Sequence, residues 1–305
     1  MKHNSTDRSV DAGPGNRKQR RAAKNAAGVM ALMVAAAAFG IPSGTPSTSA
    51  AAPSIEGSST ALFSETDLAL VTNYVSDVVI DADEMWSSWI TGRGYPEPYV
   101  QYDIIQPGQP RSYNTDCAFP DPRNGGVPTA TYDSQFPNAF YCPVADNALG
   151  GKGVLILPVE ALAHLWTGNV FGRSSTQSGD FAVATVVAHE FGHHVAQQLA
   201  NNTGGSLAAG KNNELLADCF AGVYTNHVHG EGALEQGDID EGLAALEQLG
   251  DPPTTDGSAP LFPHGTAEER EAAFKIGIYG TSGDSRGGVP GNCISTYWPS
   301  YTGSK

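Results

Sequence analysis

Cysteine, basic side chains and long apolar runs are all scarce in this chain of 305 residues. The four cysteines include no Cys-x-x-Cys pair, which argues against a zinc knuckle built on cysteine thiolates. The chain has 17 basic and 32 acidic residues. Seven of the basic and two of the acidic residues lie in residues 1–50, so the rest carries a net charge of −20. A body this acidic repels phosphate backbones, and we expect no nucleic-acid partner.

One apolar run stands out, at residues 26–41, after a basic segment that ends at Lys24. It is shorter than the roughly 20 residues of a membrane-spanning helix, and small residues that fit an Ala-x-Ala cleavage pattern follow it. We predict a signal peptide with its flanking basic segment at 1–52, a flexible linker at 53–62 and one folded domain at 63–305. The protein is then secreted or extracytoplasmic, without stable membrane insertion. The alternative is an uncleaved N-terminal anchor that tethers the domain outside the cell.

The four cysteines are Cys117, Cys142, Cys219 and Cys293. An even number of cysteines in an exported chain predicts two disulfides, and four cysteines allow three ways of pairing. The spacing does not choose among these pairings. Buried free thiols are the alternative interpretation.

Hydrophobic periodicity predicts the fold class. Apolar residues at intervals of three and four predict a helix over 65–90 with Ser64 as N-cap, and the apolar run 154–157 predicts a buried strand. Asp180 is the expected N-cap of a strongly apolar helix, and Thr266 with Glu269 forms a capping box. Further strands are expected at 99–105 and 140–142, helices at 159–166, 213–227, 239–249 and 266–279, a loop at 201–210, and coil up to Lys305. The predicted class is α+β, mainly helical, with a small antiparallel or mixed sheet.

The apolar helix contains the sequence His189-Glu190-Phe191-Gly192-His193. Two histidines four residues apart project from one helix face and can meet a single cation, for which zinc is the natural choice. Glu190 lies slightly around the helix, where its carboxylate can reach a metal-bound water. The alternative is a helix with hydrogen-bonded core histidines. A metal is favoured because three ionisable side chains in an apolar helix are costly unless something satisfies them.

A catalytic zinc site needs a third protein ligand and one open position. Glu214 follows His193 by 21 residues, which leaves room for a loop and a second helix that runs antiparallel to the first. We predict Glu214 as the third ligand. Asp218, four residues on and on the same face, is expected to accept a hydrogen bond from a ligand imidazole. The alternative for Glu214 and Asp218 is a pair of solvent-facing charges on an amphipathic helix.

Together these motifs resemble the neutral zinc metallopeptidases of bacteria. FYCP comes first, and the run GDFAVA then leads into HEFGHH. ELLADCFAGV, EQGDI and HGT follow in that order, and the resemblance covers residues 75–293. The resemblance implies a zincin-type fold for 63–305, one zinc ion, glutamate as the third ligand, and a peptide or protein substrate. It also implies the disulfides Cys117–Cys142 and Cys219–Cys293. The segment 106–135 is longer than this pattern leads us to expect.

The expected activity is endopeptidase hydrolysis of peptide bonds, with Glu190 as the general base for a zinc-activated water. An extended substrate is expected along a sheet edge, with the strand at 154–157 as the candidate. His264 is a candidate stabiliser of the transition state, with a structural hydrogen bond at a helix entrance as its alternative. Two other functions stay open: a zinc-binding extracellular interaction protein without catalytic activity, and a zinc hydrolase that acts on another bond.

Overall fold

The computed structural model describes residues 63–144, 153–170, 173–174, 177–250, 264–282 and 286–303. The predicted signal peptide and linker, residues 1–62, lie outside these ranges. Each helix within them is too short or too polar to span a bilayer. The fold is a mainly helical α+β domain with small sheets, as predicted.

Seven helices make up most of the described fold. The first begins at the predicted N-cap, Ser64, which forms a capping box with Asp67: the Ser64 hydroxyl accepts from the Asp67 N–H at 3.2 Å, and the Asp67 carboxylate accepts from the Ser64 N–H at 3.0 Å. Thr266 and Glu269 form the predicted capping box at the sixth helix. The helices are α1 (Glu65–Thr91), α2 (Val159–Trp166), α3 (Asp180–Thr203), α4 (Lys211–Gly230), α5 (Asp238–Leu249), α6 (Ala267–Tyr279) and α7 (Pro290–Tyr297).

Helix α3 lies at the centre of the domain and packs against α1, α2, α4 and α5. Most of its residues are buried because small and apolar side chains occur around its whole circumference. Gly192 lets α4 come close. A methyl group at this position would lie 2.9 Å from the Ala217 carbonyl oxygen, so a larger residue would push the two helices apart.

A mixed three-stranded sheet packs against α3. Strand β7 (Val154–Pro158) is its fully buried centre, with β1 (Tyr102–Ile105) parallel on one side and β6 (Phe140–Cys142) antiparallel on the other. The prediction that 154–157 is a substrate-binding edge is therefore wrong, because both of its sides are already paired. The edge strands are β1 and β6.

The segment between β1 and β6 builds a small core of its own, around Tyr132, Phe136 and Phe140. Two short antiparallel pairs frame it, and the Cys117–Cys142 disulfide ties it to β6. The pairs are β2 (Arg111–Ser112) with β5 (Thr131–Tyr132) and β3 (Phe119–Asp121) with β4 (Val127–Thr129). A further pair, β8 (Asn169–Val170) and β9 (Arg173–Ser174), follows α2.

Three predicted boundaries need correction. Gly179 occupies the N-cap of α3 and Asp180 is its first helical residue. The same helix continues to Thr203, so the loop begins at Gly204, whose φ of 65° ends the helix. Residues 290–297, predicted as coil, form α7, which starts at Pro290 and buries Ile294. Its two turns are too short for hydrophobic periodicity to show.

The structure forms the two disulfides that the family resemblance implied, Cys117–Cys142 and Cys219–Cys293. The second joins α4 to α7 across a separation of 74 residues. Replacing Cys219 and Cys293 with alanine should lower the free energy of unfolding by about 4.5 kcal/mol, since the longer loop restricts the unfolded chain more. Urea denaturation with a chelator present measures this loss.

The matched control is the double alanine variant of Cys117 and Cys142, which are separated by only 25 residues. We expect it to lose about 3.5 kcal/mol. A larger loss in this control than in the Cys219/Cys293 variant would contradict the loop-length argument.

Candidate metal centre

The structure brings His189, His193 and Glu214 together. The two histidine Nε2 atoms are 3.2 Å apart, and each lies 3.4 Å from Oε2 of Glu214. A regular tetrahedron with edges of this length has centre-to-corner distances of about 2.0–2.1 Å, the length of zinc–nitrogen and zinc–oxygen bonds. The donor set of two imidazoles and one carboxylate also suits zinc. The three atoms form one face of such a tetrahedron and leave a fourth corner for another ligand.

Local helix geometry explains this convergence. His189 and His193 lie one turn apart on α3, and Glu214 lies in the first turn of α4. The close approach of α3 and α4 at Gly192 brings the glutamate within reach of both imidazoles.

Asp218 is fully buried and holds His189 from the side away from Glu214. Its Oδ1 lies 2.7 Å from Nδ1 of His189, which fixes this nitrogen as the donor and leaves Nε2 to face the metal position. Arg270 on α6 donates two hydrogen bonds to the same carboxylate, of 2.9 Å and 2.8 Å. A third bond from Arg270, to the carbonyl oxygen of Leu249, fixes the guanidinium.

Arg270 is one of the candidate-site residues that sequence reasoning missed. Its helix carries several charged residues and looks like a surface helix, yet the arginine is only 3% exposed. A buried aspartate requires a compensating cation. That requirement is the one indication in the sequence, and it does not say which arginine meets it.

These contacts shift the pKa values of the side chains at the site. Burial raises the pKa of Asp218, but Arg270 and His189 outweigh it and hold the pKa below its usual value. For His189, burial lowers the pKa and the Asp218 carboxylate more than compensates, which raises it to about 10. Burial also opposes ionisation of Glu214, but the two histidines lower its pKa strongly. Binding of a metal at Nε2 would therefore require His189 to release a proton.

Asn213 approaches the other histidine. Its Nδ2 lies 3.2 Å from Nδ1 of His193, while its buried Oδ1 has no partner among the described residues. An imidazole that binds metal through Nε2 carries its proton on Nδ1 and must donate there. Turning the amide over lets Oδ1 accept this proton. Asn213 then orients His193 as Asp218 orients His189.

Glu190 is buried against β6, where its Oε2 accepts a 2.8 Å hydrogen bond from the backbone N–H of Tyr141. Burial raises its pKa, partly offset by the two neighbouring histidines and the Tyr141 N–H. The adjacent His194 points elsewhere: its Nε2 lies 2.6 Å from the Pro98 carbonyl oxygen and its Nδ1 lies 3.3 Å from the Tyr141 hydroxyl. Burial lowers the pKa of His194 to about 4, so it is neutral and anchors α3 to β6.

A cleft of about 550 Å³ opens over these residues. Apolar side chains from the small core form one wall, and α3 and α5 contribute to the other. His264 lines the same cleft at an exposed position. The apolar walls include Phe119, Pro120, Phe136, Val186, Leu246 and Leu249.

The fold and the site define the class as a mainly helical zincin-like α+β domain with a zinc-type ligand set. Residues 168–287 match the model of a family described as "Putative neutral zinc metallopeptidase". This confirms the predicted family resemblance over a span narrower than the predicted 75–293. The span contains the ligand candidates His189, His193 and Glu214. It also contains Glu190, Asp218 and Arg270.

Two similar curated proteins carry the description "uncharacterized". The chain is 38% identical over 125 residues to the uncharacterized protein YpfJ of Escherichia coli K12, covering 35% of this chain and 42% of that protein. It is 35% identical over 162 residues to the uncharacterized protein Rv2575 of Mycobacterium tuberculosis H37Rv, covering 45% of this chain and 50% of that one. The chain thus spans half or less of these relatives. No solved structure matches it.

Proposed function

We propose that residues 63–305 form a secreted zinc endopeptidase that holds one Zn²⁺ through His189, His193 and Glu214. The observation that supports this best is the tetrahedral face formed by the three donor atoms, with the Glu190 carboxylate buried next to it. A purely structural zinc site has no use for Glu190. The family match supports a peptide or protein as substrate.

When bound, zinc supplies Lewis acidity, lowering the pKa of a coordinated water to about 7 and polarising the substrate carbonyl. Glu190 takes the proton of the attacking water and passes it to the leaving amine. Its raised pKa makes the carboxylate a stronger base for the first of these two transfers. The Tyr141 N–H holds the carboxylate in place during this exchange.

Strand β6 is the proposed substrate-binding edge. The Tyr141 N–H donates to Glu190 and so points away from β7. Because the N–H and C=O of one residue in an antiparallel strand point to the same side, the Tyr141 carbonyl also faces the cleft. It can accept a hydrogen bond from an extended peptide laid along β6. His264 lies on this cleft and is the proposed second stabiliser of the oxyanion.

Export of the mature domain is part of the proposal. The two disulfides indicate an oxidising, extracytoplasmic compartment. We propose that residues 1–52 are the signal region and 53–62 a linker. N-terminal sequencing of the protein from culture medium checks the cleavage position, and a chain that retains residues 26–41 would favour the anchor instead.

A peptide-library digest tests the activity. The purified mature protein should cleave peptides, lose cleavage on treatment with a chelator and regain it when zinc is restored. Mass spectrometry of the products reports which bonds are cut. A zinc-loaded, folded protein that cleaves no peptide in a broad library would overturn the proposal.

Asn213 offers a prediction about zinc affinity. Asn213→Leu removes the acceptor for the His193 Nδ1–H and should weaken zinc binding about 10–100-fold. Asn213→Asp keeps an acceptor oxygen and should retain the affinity. Competition with a fluorescent chelator measures both dissociation constants. Equal zinc affinities in the leucine variant and the wild type would show that the amide does not orient His193.

A further inference from the structure

A second group of metal-ligating side chains lies between α1 and α4, formed by Asp81, His227 and Glu231. We propose that these three residues bind a divalent transition-metal ion, separately from the centre at His189. The site does not depend on the proposed peptidase activity. Asp81 also lies outside the segment that matches the family model.

The geometry of the group supports this. One ligand atom of each residue lies within 4.8 Å of the others, so an ion between them is within about 2.8 Å of all three, against about 2.0–2.2 Å in a formed zinc site. Modest side-chain rotations close this difference. All three residues are half-buried, so their side chains have fewer rotamers available and lose less conformational entropy when they bind an ion.

Helix geometry prearranges two of the ligands. His227 and Glu231 are four residues apart at the C-terminal end of α4, so their side chains lie on one face. Asp81 faces them from α1, and its Oδ2 accepts a 3.1 Å hydrogen bond from the Tyr224 hydroxyl. Tyr224 is buried at 2% exposure, and this contact orients the carboxylate as outer partners of metal ligands do.

Charge and donor type identify the ion. Burial raises the pKa of the Tyr224 hydroxyl, and Asp81, Glu231 and Asp77 raise it further, so negative charge gathers beside the proposed position of the ion. Calcium and magnesium prefer oxygen ligands alone, whereas one imidazole with two carboxylates suits zinc or manganese. A bound ion would link α1 to the helix that carries Glu214.

Zinc counting on the full chain tests the site. Calorimetric titration should show two zinc ions per wild-type chain and one per His227→Gln chain. His229→Gln is the matched control, because this exposed histidine lies two residues further along the same helix, and it should still bind two. His193→Ala should lose the ion at the centre of the domain and keep the one at His227.

A second measurement does not depend on any variant. Cobalt added at increasing ratios to the chain loaded with one zinc ion should broaden the NMR signals of the His227 ring before those of His229. The proposal is overturned if His227→Gln binds as many zinc ions as the wild type, or if cobalt broadens both rings equally. A wild-type chain that binds two zinc ions but cleaves no peptide would overturn the peptidase proposal and leave the proposed site at His227 standing.

Discussion

Glu190→Gln is expected to lower the rate of peptide cleavage by about 10²–10⁴-fold while the zinc stays bound. The amide keeps the size of the side chain but cannot take a proton from water. The histidines and Glu214 are unchanged, so the affinity for zinc should be close to that of the wild type. Single-turnover cleavage of a fluorogenic peptide, with zinc content measured on the same sample, gives both quantities.

The matched control for this variant is Glu268→Gln. Glu268 is an exposed glutamate on α6, and its replacement should leave both cleavage and zinc content unchanged. Cleavage by the Glu190→Gln protein at the wild-type rate would remove Glu190 from the chemistry. A variant that lost its zinc as well would point to a structural role for the carboxylate.

Glu214→Ala is expected to weaken zinc binding by more than about 100-fold, and cleavage should disappear with the metal. The variant removes one of three protein ligands, whereas loss of a residue that only orients a ligand costs less. Asp218→Asn supplies that comparison. It keeps an acceptor for His189 but leaves Arg270 without its carboxylate, and we expect about a 10–100-fold loss of affinity.

Equilibrium dialysis against zinc buffers measures both constants, and circular dichroism shows whether each variant folds. A loss for Asp218→Asn that exceeds the loss for Glu214→Ala would reverse the two proposed roles. Equal zinc affinity in Glu214→Ala and the wild type would exclude Glu214 as a ligand.

Much of the fold follows from local sequence features. The Ser64 N-cap of α1, the capping box of α6 and the buried strand at 154–157 are set by residues close in sequence, and the structure confirms all three. The sheet edge was predicted wrongly because strand order depends on pairing between distant segments. Helix α7 was missed because the Cys219–Cys293 disulfide and burial against α4, rather than local periodicity, hold it in place.

At the candidate site, too, features set by nearby residues could be predicted and features set by distant contacts could not. The spacing of His189 and His193 on one helix predicts that they share a face, since this is a property of four consecutive peptide units. Arg270 and Asn213 could not be predicted in this way. Arg270 reaches Asp218 across 52 residues of sequence, and the role of Asn213 appears only once the His193 ring is in place.

X-ray absorption at the zinc edge, combined with a crystal structure of the zinc-loaded mature protein, tests the central claim most directly. We predict one zinc between α3 and α4, bound by Nε2 of His189, Nε2 of His193 and one Glu214 oxygen at about 2.0–2.2 Å, with water at the fourth position. A Glu214 carboxylate turned away from both imidazoles, or a fourth protein ligand that closes the site to water, would contradict the account.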